Sequence, residues 1–115
     1  MSIRIIDQPV SRADLAEIAK ERFGDMVKAV VDLNRGIMAI GGELHADEEE
    51  VLLEQGSKQG DLWGINLYPG TKDDSFLEYD SMINIRPSQG NRSRGVEDAA
   101  LREKIREIVG RLVTE

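Results

Sequence analysis

Residues 27–40 constrain this chain more than any other stretch. Val27, Ala29, Val31 and Leu33 alternate with Lys28, Val30 and Asp32, a period of two that predicts a strand with one buried face. Asn34-Arg35-Gly36 follows, a short turn with a glycine for positive φ. Ile37-Met38-Ala39-Ile40 returns as the second strand. A hairpin here commits the domain to an antiparallel sheet, which the other elements must extend or cover.

Ile3, Ile5 and Ile6 read as a short first strand, broken by Pro9. Ser11 and Asp14 form a capping-box-like start to a helix over about Arg12 to Phe23, which Gly24 closes. Gly41-Gly42 reads as a bulge or a close backbone approach, with the return strand running on through Glu43, Leu44 and His45. Asp47 and Glu50 form a second cap-like pair for a short helix, about Glu48 to Gln55. Leu62–Tyr68 and Ser81–Arg86 read as strands, with a brief pairing at Phe76–Tyr79. Glu97-Asp98 opens a final helix whose stripe is Leu101, Ile105, Ile108, Val109, Leu112 and Val113. The class is therefore α+β: two layers, a mostly antiparallel sheet of about four to five strands, helices on one face. At 115 residues this is a single domain, 1–115.

Sorting the strands by parity gives two unlike faces. One carries Val27, Ala29, Val31, Leu33, Met38, Ile40, Leu44, Trp63, Ile65, Leu67, Ile83 and Ile85, and is the expected core face. The other mixes Lys28, Val30, Asp32, Ile37, Ala39, Glu43, His45, Leu62, Asn66, Tyr68, Met82, Asn84 and Arg86. Asparagine is a poor strand former, so Asn66 and Asn84 on that face need a reason. The face is either solvated, a homodimer interface through Val30, Ile37, Leu62 and Met82, or the floor of a polar site.

Composition removes several function classes. There is no cysteine, hence no disulfide, thiol nucleophile or cysteine-based zinc site, and one histidine excludes a multi-histidine metal centre within the chain. No cofactor and no metal is expected. The start, Met1 to Asp7, lacks the apolar core of a signal peptide, and no apolar run is long enough to span a membrane, so a cytoplasmic location and no membrane partner are expected. A net charge of −7 argues against a surface that coats nucleic acid. The charge is polarised: residues 43–80 hold eleven acidic and two basic side chains, whereas 86–111 hold four acidic and seven basic.

The basic part contains the most unusual stretch, Arg86-Pro87-Ser88-Gln89-Gly90-Asn91-Arg92-Ser93-Arg94-Gly95. It precedes a helix N-terminus, where free amides and the helix dipole favour anions. Glycines let a backbone curl around an anion, and arginines supply forked donors. Arg86, Ser88, Gln89, Asn91, Arg92 and Arg94, with Asn66 and Asn84 from the adjoining strand face, are the candidate ligand-binding residues for an anionic small molecule. The plain alternative is a polar connection whose arginines pair with the acidic middle. Gly90 and Gly95 have P-loop spacing, but Val96-Glu97 stands where Lys-Ser/Thr is needed, which excludes an NTPase.

Glu43 and His45 form a second candidate, a base and its orienting carboxylate on one strand face for a small hydrolase or transferase. With Asp32 or Asp47 they could also hold a divalent cation. Against this stands a histidine that merely hydrogen-bonds at a strand end. Whether the chain is an enzyme stays open. No G-x-S-x-G elbow is present, and Asp47–Glu50 lacks calcium-loop spacing.

Three segments carry a resemblance: Glu43-Leu44-His45-Ala46-Asp47, Leu62 to Pro69, and Ile83 to Ser93. From about Asp25 to its end the chain resembles a small family of bacterial and archaeal proteins defined only as a domain of unknown function. The resemblance implies a stand-alone small prokaryotic cytoplasmic protein. It implies no activity, cofactor or catalytic residue.

Overall fold

The hairpin forms where the alternation places it. A computed structural model describes residues 3–115; Met1 and Ser2, part of the start read above for an apolar signal-peptide core, lie outside the described residues. In chain order the elements are β1 (Arg4–Ile6), β2 (Val10–Ser11), α1 (Arg12–Arg22), β3 (Val27–Asp32), β4 (Ile37–Ile40), α2 (His45–Glu54), β5 (Leu62–Leu67), β6 (Leu77–Glu78), α3 (Ala99–Leu112) and β7 (Val113–Thr114). Gly36 takes φ +68° in the β3–β4 turn. Asp32 holds that turn: its Oδ1 accepts from the Asn34 and Arg35 amides at 2.9 and 3.0 Å, and its Oδ2 from the Ser57 hydroxyl.

β1 joins β4, β5 joins β3 and β6 joins β5, giving an antiparallel sheet of order β1-β4-β3-β5-β6. β2 and β7 pair in parallel and bring the two ends of the domain together. The α+β class follows.

The core lies on the parity face expected for it, except at Leu44 and Ile85, which are exposed, and Ile83, which packs on the opposite face. Leu15, Ile18 and Ala19 of α1 and Ile105, Ile108, Val109 and Leu112 of α3 pack on Val27, Ala29, Val31, Met38, Ile40, Trp63, Ile65 and Leu67. Each fully buried aliphatic side chain contributes about 1.5–3 kcal/mol. Both helices are capped as their sequences require: the Ser11 side chain accepts from the Asp14 amide and Asp98 from the Ala100 amide.

Two stretches depart from expectation. The return strand stops at Ile40, because Gly41 adopts φ +91° and turns the chain across the end of the sheet. α2 therefore begins at His45 rather than Glu48, and Glu43 and His45 share no strand face. Its N-cap is Leu44 without a side-chain bond, so Asp47 does not cap it. The turn also carries α2 to the opposite face from α1 and α3, where Leu52 packs on Val30, Ala39 and Leu62. Val30 and Leu62 are thus buried within the chain, Ile37 is half-buried, and Met82 is exposed.

The second departure is Ser81–Arg86, which is not a strand. Met82–Asn84 is one 3-10 turn, started by the Ser81 hydroxyl accepting from the Ile83 amide at 3.3 Å. It lies over Gly64, where a Cβ would come within 2.5 Å of Ser81. The sheet thereby loses a strand beside β5, and two side chains replace it. The Gly64 amide donates to Asn84 Oδ1 at 2.8 Å, and Asn84 Nδ2 donates to the Gly64 carbonyl at 2.9 Å. The Arg86 guanidinium donates to the Leu62 carbonyl.

Candidate functional site

A cleft of about 190 Å³ opens on the face of the sheet opposite the main core. Its floor is set by strand register. Lys28 of β3 lies directly opposite Asn66 of β5, so the two share one face. The first turn of α2 lays His45 over this pair, and the 80–83 segment and Arg94 close the far side, contributing Asp80, Ser81, Met82 and Ile83. Leu44 and Met82, 54% and 65% exposed, form an apolar rim.

The polar groups on the floor are tightly oriented. Asn66 is 6% exposed, and its amide nitrogen donates to Glu78 Oε1 at 2.8 Å and to the Asp80 carbonyl at 3.3 Å. Both its hydrogens are spent, which fixes the amide and leaves Oδ1 as a buried acceptor without a partner. His45 is 7% exposed, and its Nε2 lies 2.8 Å from the Ile65 carbonyl. A carbonyl only accepts, so Nε2 carries the hydrogen and Nδ1 holds the lone pair of the neutral ring. Burial pulls the His45 pKa below its ordinary value and the positive Lys28 adds to this, while the bond to the Ile65 carbonyl and the nearby Asn66 side chain, which would accept from a protonated ring, oppose it. At neutral pH the ring is an uncharged base.

Glu48 lies one turn along α2 on the same buried face. Its Oε2 accepts from the Gly42 amide at 2.9 Å, and its Oε1 has no partner. Burial pushes its pKa up to about 9, so the group is a neutral acid. The expected close approach at Gly41-Gly42 is this contact: a Cβ on Gly42 would stand 2.9 Å from Glu48 Cγ.

The candidate residues from the sequence separate into three groups. His45, Asn66 and Arg94 meet in the cleft. Asn84, Arg86 and Asn91 build the loop. Arg86 donates to the Ile83, Gln59 and Leu62 carbonyls and stacks 4.3 Å from the Trp63 ring centre. Asn91, buried, donates to the Asn84, Ser93 and Gly95 carbonyls and accepts from the Glu97 amide. Ser88, Gln89 and Arg92 are exposed and outside the cleft lining. Glu43 is also exposed, 4.0 Å from Arg22.

The loop's own acidic groups meet much of its anion-binding capacity. The Arg92 and Ser93 amides both donate to Glu97 Oε2 at 2.8 Å, and Arg94 pairs with Asp80 at 2.6 Å. The plain alternative named above, arginines paired with the acidic middle, thus holds for Arg94. Asp32 spends its oxygens on the turn and on the Ser57 hydroxyl, and among the described residues no group of three or more His, Asp or Glu side chains could hold a metal ion. Also among the described residues, no helix is long and apolar enough to cross a membrane.

Sequence reasoning missed Lys28, Asp80 and Glu48. Parity had already placed Lys28 on the face of Asn66, so pairing β3 with β5 would have found it. Asp80 and Glu48 carry no periodic mark.

A search of curated proteins and one of solved structures found no match. A family model described as protein of unknown function (DUF5674) matches residues 4–112, and the chain belongs to that family.

Proposed function

We propose that this protein binds a small anionic molecule, bearing a phosphate or carboxylate, in the cleft between Lys28, His45, Asn66 and Arg94. The observation that carries the reading is a concave cleft in which Lys28 and Arg94 stand against the single carboxylate of Asp80, in a strongly acidic chain. A concave site with few convergent polar groups and an apolar rim is what small-molecule recognition requires. At about 190 Å³ the cleft is smaller than the ~300–1,000 Å³ of drug-sized sites, so the occupant is small. Arg86, Asn84 and Asn91 serve by holding the loop that delivers Arg94.

Thermal-shift titration with inorganic phosphate, sugar phosphates, nucleotides and short carboxylates tests this. At least one class should raise the melting temperature in a saturable way. Lys28→Met should weaken that response about tenfold or more, the effect of removing a charged hydrogen-bond partner. Arg92→Ala, outside the cleft, should leave it unchanged. A response lost in Arg92→Ala but kept in Lys28→Met would move the site to the exposed loop, and no response to any anion would refute the reading.

A second reading is favoured by one observation: the hydrogen bond to Ile65 leaves His45 Nδ1 unprotonated in the same cleft as Arg94. This is the arrangement of a general base in a small hydrolase or transferase, with the Ile65 carbonyl rather than Glu43 orienting the ring. Turnover of phosphate or carboxylic esters that disappears in His45→Gln would establish it.

A further inference from the structure

The floor of the cleft narrows the class of ligand, given the anion-binding reading above. Asn66 Oδ1 is buried, unpartnered and fixed in orientation, because both amide hydrogens go to Glu78 and the Asp80 carbonyl. His45 Nδ1 is likewise an acceptor, because Nε2–H is committed to Ile65. A bare carboxylate or a fully ionised phosphate offers only acceptors. Placed on this floor it would face two acceptors, and its charge would be met only by Lys28 and Arg94 at the sides. A buried acceptor left without a donor is costly, so an occupant that completes the site must bring a donor.

We infer that the ligand is a small anion that also carries a hydroxyl or amino group: a hydroxy- or amino-substituted carboxylate or phosphate ester. Its donor is taken by Asn66 Oδ1 and His45 Nδ1, its anionic group lies toward Lys28 and Arg94, and its short carbon skeleton rests against Leu44 and Met82. The His45 ring itself can supply a donor to Asn66 only by becoming an imidazolium, which burial opposes. That leaves the ligand to supply it at neutral pH.

The test uses the unmodified protein and matched ligand pairs: glycerol 3-phosphate against propyl phosphate, and lactate against propionate. Affinity is read by calorimetry, and the ring nitrogens by ¹H–¹⁵N correlation. The chain has a single histidine, so its ring signals need no assignment. In at least one pair the donor-bearing member should bind about tenfold or more tightly, since a site built on buried polar groups rejects the analogue that leaves them unpaired. It alone should move the Nδ1 resonance. A response confined to one pair identifies phosphate or carboxylate as the anionic group. Equal binding within both pairs, with Nδ1 unmoved, would overturn the inference and leave the anion reading standing. Binding of neither member of either pair would overturn the inference, and the wider panel above then decides the anion reading separately.

Discussion

The side chain of Asn84 pairs with Gly64 as a neighbouring strand would, accepting from its amide at 2.8 Å and donating to its carbonyl at 2.9 Å. β6 reaches only Asn66 and Leu67, so this pairing closes an edge of β5 that would otherwise be exposed. Asn84→Ala would leave the buried Gly64 amide and carbonyl without partners. Each such loss costs about 1–3 kcal/mol, so the variant should be less stable by about 2–6 kcal/mol in urea unfolding. Gly64→Ala should also destabilise, because its Cβ would displace Ser81 and with it one wall of the cleft. A loss under about 1 kcal/mol for Asn84→Ala would show that water replaces the asparagine without cost.

Glu48 makes stability depend on pH with an unusual sign. Its carboxyl ionises near 4.5 when unfolded and at about 9 when folded. Between those values the unfolded chain has lost the proton and the folded chain keeps it. Stability contributed by the protonated group is therefore whole below 4.5 and is lost progressively as pH rises toward 9. At about 1.4 kcal/mol per pH unit, the loss by pH 7 is about 3 kcal/mol. Glu48→Gln keeps an acceptor for the Gly42 amide and removes the ionisation. It should be more stable than the parent at pH 8 and should flatten the decline in melting temperature between pH 5 and 9. A parallel decline in both proteins would place the ionisation elsewhere.

What could be read from the residues alone follows the range of the forces involved. The hairpin, the Ser11 cap and the α3 stripe depend on neighbours within a few positions, and all form. Ser81–Arg86 alternates like a strand, but the Ser81 hydroxyl accepts from the Ile83 amide and the Asn84 side chain pairs with Gly64, and Met82–Asn84 becomes a 3-10 turn. Asn66 and Asn84 stood out as asparagines out of place on strands. One proves to be part of the cleft floor and the other an edge cap. Their difference is set by β6 stopping short, which no local pattern records. His45 was read on a strand when it opens α2, because the left-handed turn at Gly41 sits where continued alternation is equally natural. Lys28 meets Asn66 only because β3 and β5 are neighbours, a consequence of strand order.

The pH response of His45 runs opposite to that of Glu48. Burial holds its folded pKa below the unfolded value of 6.5. As pH falls through 6.5 the unfolded chain takes up a proton that the folded chain refuses. The stability of the neutral buried ring is therefore present above 6.5 and is lost as pH drops toward the folded pKa. Titration of the single histidine by NMR should give a midpoint below 6.5 in the folded protein. His45→Gln should remove the corresponding acid limb of the stability curve. A midpoint at or above 6.5 would show that burial does not disfavour the charged ring in the cleft.

Glu97 fastens the loop that carries Arg94. Its carboxylate accepts from the Arg92 and Ser93 amides, and these bonds hold its pKa below the ordinary carboxylate range. The group is exposed, so its effect is local order more than global stability. Glu97→Ala should speed hydrogen exchange at Arg92 and Ser93 with little change in the core of α3 or the sheet. In the parent protein the protection should be present at pH 7 and lost as pH falls through the depressed pKa. Asn91 anchors the same loop from the buried side, so it should open only between the two anchors, and Arg94 should keep its place. Loss of protection across residues 81–97 in Glu97→Ala would instead show that one carboxylate holds the whole segment.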